Sequence, residues 1–286
     1  MQLRQRVDVM GVPSRPLLRW HGGKWLLAPW IISHFPDHQT YVEPFGGAAS
    51  VLMRKDRSHS EVYNDLDDDV VNLFEVLRNR HQAEELKEAL RLTPFAYTEF
   101  QSSYNPADCE VERARKLIVR TFMGFGSNGA HKKTGFRSNS NRSGTTPARD
   151  WANYPDALAA AIERLRGVIV TKRDAREVMA AHDGDQTLHY VDPPYVAETR
   201  YGKGDYAHEL SNSDHINLLQ FLRGLKGRVV LSGYPCELYD KRLSDWWRVE
   251  RKALADGARA RTEVLWMNFD ADQVSQPLLF AQRGAA

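Results

Sequence analysis

Cysteine is scarce in this sequence: two in 286 residues, Cys109 and Cys236, far apart and without Cys-x-x-Cys spacing. That argues against both a disulfide framework and a thiolate metal site. Of the ten histidines only His34 and His38 have His-x-x-x-His spacing, and Pro36 between them interrupts a helix that would set both on one face, so no metal is expected. No apolar run approaches the roughly eighteen residues of a membrane helix; the longest, around Leu26 to Ile32, is broken by Pro29. The N-terminal stretch carries arginines with no apolar core behind them, unlike a secretory signal. Charge of one sign is also in short supply. Thirty-nine Lys and Arg face 37 Asp and Glu, a net charge of +2, too small to imply a nucleic-acid partner by itself. What remains, 42% hydrophobic and 27% charged residues, suits a globular core and excludes a wholly disordered chain. The expectation is a soluble, cytoplasmic protein with no membrane contact.

The charge is unevenly spread. Between Val111 and Asp150 nine basic residues, among them Arg113, Arg115, Lys116, Arg120, Lys132, Lys133, Arg137 and Arg142, face two acids, Glu112 and Asp150. A local excess of that kind suits a phosphate-contacting surface, or else a solvated basic face. Along the rest of the chain strand-like and helix-like pieces alternate, which favours an α/β sheet. Strands are expected at Thr40 to Glu43, Glu61 to Asn64, Gly167 to Thr171, Leu188 to Val191, Arg228 to Leu231 and Thr262 to Phe269. Helices are expected at Val51 to Lys55, Asp67 to Arg91, Glu110 to Phe125 and Pro155 to Leu165, with Gly126 to Thr146 a polar loop. The reading is one sheet domain, residues 1–69 and 167–286, interrupted by a mostly helical, basic insertion at 70–166.

The sharpest local signal is Asp192-Pro193-Pro194-Tyr195, immediately after the strand ending at Val191. Two prolines stiffen the turn and present carbonyls at a defined place. A carboxylate and a carbonyl there can accept both hydrogens of an exocyclic amino group. That draws its nitrogen toward tetrahedral geometry and frees the lone pair, while a neighbouring aromatic ring can stack on a flipped-out planar base. The bland alternative is a proline-rich turn with Tyr195 in the core.

Other segments point to a ligand. Trp20-His21-Gly22-Gly23-Lys24 has glycines that permit close backbone approach and a lysine able to pair with a carboxylate. Glu43-Pro44-Phe45-Gly46-Gly47-Ala48-Ala49 places small residues between a strand and the next element, where backbone can lie against a ligand. Asp65 ends the following strand, twenty-two residues beyond Glu43, a distance at which an acid can accept from ribose hydroxyls. Asp174 follows another strand and reads equally well as a helix cap.

Together these segments, in this order, resemble the Dam-type DNA adenine methyltransferases, enzymes that use S-adenosylmethionine. The resemblance runs from Leu18 to Phe269. Aspartate at the head of the Pro-Pro-Tyr turn is typical of enzymes acting on adenine N6, where cytosine-N4 enzymes usually carry serine and glutamine-modifying enzymes asparagine. The resemblance implies a Rossmann-like methyltransferase sheet with helices on both faces and an inserted target-recognition domain. It implies S-adenosylmethionine near Trp20, Lys24, Glu43, Pro44, Phe45, Gly46, Gly47, Asp65, Asp174 and Asp192, and catalysis at Asp192, Pro193, Pro194 and Tyr195. Duplex DNA would meet Arg19, Arg120, Lys132, Lys133, Arg137 and Arg142. The sequence departs from the family's pattern at Ala49, where a second glycine is usual. A monomer is expected, nucleoid-associated through DNA; a restriction endonuclease partner is compatible with the sequence but not legible in it. The alternatives are a catalytically silent DNA-binding protein on the same fold and an N6-adenine enzyme acting on RNA.

Overall fold

The computed structural model describes residues 13–139, 144–200, 207–255 and 259–271. Among these, seven strands form one sheet: β1 (Thr40–Glu43), β2 (Ser60–Asn64), β3 (Val168–Thr171), β4 (Thr187–Val191), β5 (Arg228–Gly233), β6 (Trp247–Ala255) and β7 (Arg259–Met267). Their order is β3-β2-β1-β4-β5-β7-β6. Strands β1 to β5 run parallel, and β7 lies antiparallel between β5 and β6. In chain order the helices are α1 (Ala28–Ile32), α2 (Asp68–Arg78), α3 (Arg80–Leu92), α4 (Tyr97–Ser102), α5 (Glu110–Met123), α6 (Pro147–Ala152), α7 (Tyr154–Leu165), α8 (Ala175–Ala181), α9 (Asn212–Leu222) and α10 (Glu237–Arg242).

Successive side chains of a strand point to opposite faces, and the two cores follow that period. Tyr41, Tyr63, Leu188, Tyr190, Val230 and Leu265 pack with α2, α5 and α7 on one side. Val42, Val62, Val191, Val229, Leu231 and Val264 pack with α8, α9 and α10 on the other. All five residues of β4 are buried, as expected for a central parallel strand covered on both faces.

Several elements differ from the expectation. Val51 to Lys55 is a chain of turns rather than a helix. The helix expected over Asp67 to Arg91 is two helices that break at Asn79, whose side chain accepts from His81 N and Gln82 N and so starts α3. Strand β6 is additional. The chain enters residues 70–166 between β2 and β3, which are neighbours in the sheet. A boundary at 69/70 cuts α2, and α2, α5 and α7 share one core with the sheet. Arg164 of α7 reaches back with two bonds, 2.6 and 2.8 Å, to Glu61 of β2, which also accepts from Lys55 at 2.7 Å. The helical segment is thus fastened to the sheet through buried ion pairs.

The polar stretch after α5 is also more anchored than its composition suggests. Phe136 sits among the rings of Phe95, Tyr97 and Phe100 at 5.1 to 5.7 Å. Gly129 is buried, and a Cβ there would come within 2.4 Å of Arg120 O. One aromatic anchor and one close backbone approach order the segment through Asn139. Arg142 lies outside the described residues.

Candidate active site

The strand order reverses between β1 and β4: the chain leaves β1 toward β2 and β3, and leaves β4 toward β5. In open α/β sheets, ligands bind beyond the carboxyl ends of strands at such a switch point. Glu43 ends β1 and Asp192 follows β4, so the two sharpest segments of the sequence meet there. Between them lies a cavity of about 430 Å³, lined by Trp20 to Lys24, Glu43 to Ala48, Asp65 to Asp67, Asp174 to Arg176 and Asp192 to Pro194.

Backbone approach shapes the loop after β1. A Cβ on Gly46 would come within 2.0 Å of the Tyr63 ring, itself stacked on Phe74 at 4.3 Å. Gly47 has φ +47°, and a Cβ there would meet Trp20 Nε1 at 2.7 Å. The indole of one segment therefore lies against the glycine of the other. Ala49 takes φ 52°, so the position where the resemblance expects glycine does use the left-handed region that glycine favours. Both oxygens of Asp65 accept backbone N–H groups, Oδ2 from Gly47 at 2.7 Å and Oδ1 from Asp67 at 2.9 Å. Burial nevertheless pushes its carboxyl up. Asp174 caps α8 through Arg176 N at 2.8 Å, and its pairing with the Arg176 side chain holds the carboxyl below its usual range.

The donor set fits S-adenosylmethionine. Asp65, Asp67, Asp174 and Asp192 line the cavity against Lys24 and Arg176, an acidic balance suited to hydroxyl and amine donors and a sulfonium.

At the turn after β4, Asp192 Oδ2 lies 2.9 Å from Lys24 Nζ. Its Oδ1 is buried with no hydrogen-bond partner among the described residues. The Lys24 ammonium also sits on Gly22 O at 2.7 Å and 4.7 Å over the Tyr195 ring. Tyr195 is 5% exposed and does not line the cavity. Its hydroxyl donates to Glu263 Oε2 at 2.8 Å and lies 3.1 Å from Ser232 Oγ. Stacking on this ring requires Lys24, a long flexible side chain, to move off its face.

Of the residues expected at DNA, Lys132 and Lys133 are exposed, while Arg19 and Arg137 are half-buried; Arg137 donates to Phe122 O at 3.2 Å. Arg120 must be withdrawn from that set. It is buried, and its guanidinium binds Asp69 and the Ala130 carbonyl. Sequence reasoning also passed over His131. It lines the cavity, lies 3.2 Å from Asp67 Oδ2 and meets Trp20 edge-on at 5.2 Å. Its loop position gave no periodic signal.

Among the described residues no cluster of His, Cys, Asp or Glu could hold a metal ion, and no helix is long and apolar enough to cross a membrane.

Parallel strands in this order, an antiparallel β7 inserted beside β5, and a turn of Asp-Pro-Pro-Tyr at the switch point define a Rossmann-like methyltransferase fold. The sequence model of one family, D12 class N6 adenine-specific DNA methyltransferase, matches residues 20–255. The chain belongs to that family. It is similar to the DNA adenine methylase of Vibrio cholerae serotype O1, 27% identical over 195 residues, covering 64% of this chain and 66% of that protein. The DNA adenine methylase of Escherichia coli strain K12 is 27% identical over 191 residues with the same coverage. That of Salmonella typhi is 36% identical over 67 residues, 23% of this chain. The match thus spans just under two thirds of the Vibrio and Escherichia proteins.

Proposed function

We propose that the chain transfers a methyl group from S-adenosylmethionine to the exocyclic N6 of an adenine flipped out of duplex DNA. The observation that carries this reading is the free Oδ1 of Asp192. A buried polar atom without a partner is costly, and this one belongs to a residue that lines the cavity at the switch point and is followed by two prolines that line it too. An amino group satisfies it. Asp192 accepts one N–H and the Pro193 carbonyl the other, so the nitrogen lone pair points away from both acceptors. When bound, S-adenosylmethionine supplies a methyl group activated by a sulfonium leaving group, so no covalent enzyme intermediate is needed. Asp65 accepts from the ribose, Trp20 covers the cofactor against Gly47, and Asp174 lies at its nucleobase end. Once Lys24 leaves its ring, Tyr195 supports the target base.

The helical segment between β2 and β3 is the DNA-facing insertion in this reading, with Lys132, Lys133, Arg137 and Arg142 on phosphates and Arg19 at the edge of the cleft. Membership of the DNA methyltransferase family and an intact Asp192 to Tyr195 turn favour this over a silent DNA-binding protein.

The test separates binding from chemistry. Asp192→Ala should abolish methyl transfer to unmethylated DNA while calorimetry still detects S-adenosylmethionine binding. Transfer at near wild-type rate would remove Asp192 from the reaction.

A further inference from the structure

We infer that Glu263 of β7 is a positioning residue for this reaction: its carboxyl holds the Tyr195 hydroxyl and so fixes the ring beside Lys24 and Asp192. The inference rests on the proposed transfer reaction and adds to it a residue from the far, antiparallel side of the sheet.

Tyr195 is held from several directions. Glu263 Oε2 lies 2.8 Å from its hydroxyl and Ser232 Oγ at 3.1 Å. The ring of Tyr234 meets it edge-on, centroids 4.6 Å apart at 76°. Over its face stands Lys24 Nζ, 4.7 Å from the centroid and 2.9 Å from Asp192 Oδ2. Glu263 and Asp192 are therefore linked through one tyrosine and one lysine.

The carboxyl is unusual where it stands. Glu263 is 7% exposed in a strand whose next four residues, Val264, Leu265, Trp266 and Met267, are fully buried and apolar. Burial pushes its carboxyl up, Asp192 adds to that and Lys24 opposes it. Sheet packing alone would be served better by an apolar side chain, since a buried carboxyl costs desolvation unless hydrogen-bonded. What the carboxyl supplies is an acceptor for a phenol. A buried phenol held by a hydrogen-bond acceptor is fixed more firmly than one held by packing alone. With its oxygen held by β7 and β5, Tyr195 keeps its position while the longer Lys24 side chain moves.

The experiment uses the full chain, S-adenosylmethionine and genomic DNA lacking N6-methyladenine. Glu263→Leu should lower kcat about tenfold or more, with S-adenosylmethionine affinity within about twofold of wild type and no loss of thermal stability. Glu263→Gln, whose amide oxygen still accepts from the phenol, should restore most of the rate. In a Tyr195→Phe background the Leu substitution should add less than about twofold, because the bond it breaks is already gone. An undiminished kcat in Glu263→Leu, or full additivity with Tyr195→Phe, overturns the inference. If the leucine variant does not fold, Tyr195→Phe alone removes the same bond, and a wild-type kcat there overturns it too. Absence of transfer by the wild-type chain is a different result: it strikes the proposed reaction itself.

Discussion

At the end of β1 the Glu43 carboxylate keeps Oε2 on two donors, the Tyr41 hydroxyl at 2.7 Å and Leu52 N at 3.0 Å. Burial still outweighs them and raises its pKa from 4.5 to about 8. Below the lower value both folded and unfolded chains carry the proton. Between the two values the folded chain keeps a proton that the unfolded chain releases, so Glu43 makes stability fall as pH rises through that window. Glu43→Gln removes the effect. The melting temperature of the variant relative to wild type should therefore climb from pH 5 to pH 8; parallel curves would mean Glu43 is ionised in the folded state. Asp65 gives a second prediction at this scale. Its Ala variant should weaken S-adenosylmethionine binding by about 1–3 kcal/mol for lost buried hydrogen bonds, measured by calorimetry, and an unchanged affinity would move the ribose site elsewhere. The residues legible from sequence, Asp192, Asp65 and the glycines, are those whose chemistry demands one residue type at a fixed place after a strand. Glu263, Ser232 and His131 were not legible, because strand pairing and loop folding bring them to the site across long stretches of chain.

Among the elements, the central strands could be read because burial on both faces makes them short apolar runs. Strand β6 escaped notice for the opposite reason. It is an edge strand carrying Arg248, Glu250, Arg251 and Lys252, and charge on an edge blunts unwanted pairing while hiding the hydrophobic signal. The loop after β1 was legible as small residues, but its tightness became visible only against Tyr63 and Trp20. Gly46→Ala tests that tightness. Its methyl must displace a ring pinned between Phe74 and the Gly47 carbonyl, which the Tyr63 hydroxyl reaches at 2.7 Å. Overpacking of this kind costs about 1–3 kcal/mol, so thermal denaturation should show a clear loss together with weaker cofactor binding. Wild-type stability would show that the loop is free to move.

On the scale of the whole molecule, ion pairs both fasten the helical segment between β2 and β3 to the sheet and brace that segment internally. Arg164 binds Glu61 within the core, and Arg113 and Arg120 both bind Asp69 at the head of α2. Basic residues of one sequence cluster therefore divide into two kinds. Arg120→Ala should lower the melting temperature and leave the salt dependence of DNA binding unchanged. Replacing Lys132, Lys133 and Arg137 together with alanine should flatten that dependence by up to about three phosphate contacts, with cofactor affinity held. A wild-type salt slope in the triple variant would place the DNA surface elsewhere.

The central claim, methyl transfer to adenine N6 in DNA, meets its most direct test in the product. DNA from a host without adenine methylation, expressing this chain, can be digested to nucleosides and analysed by mass spectrometry. The account predicts N6-methyladenine in the wild-type sample and none with Asp192→Ala. DNA free of N6-methyladenine, or methylation found on cytosine instead, would contradict it.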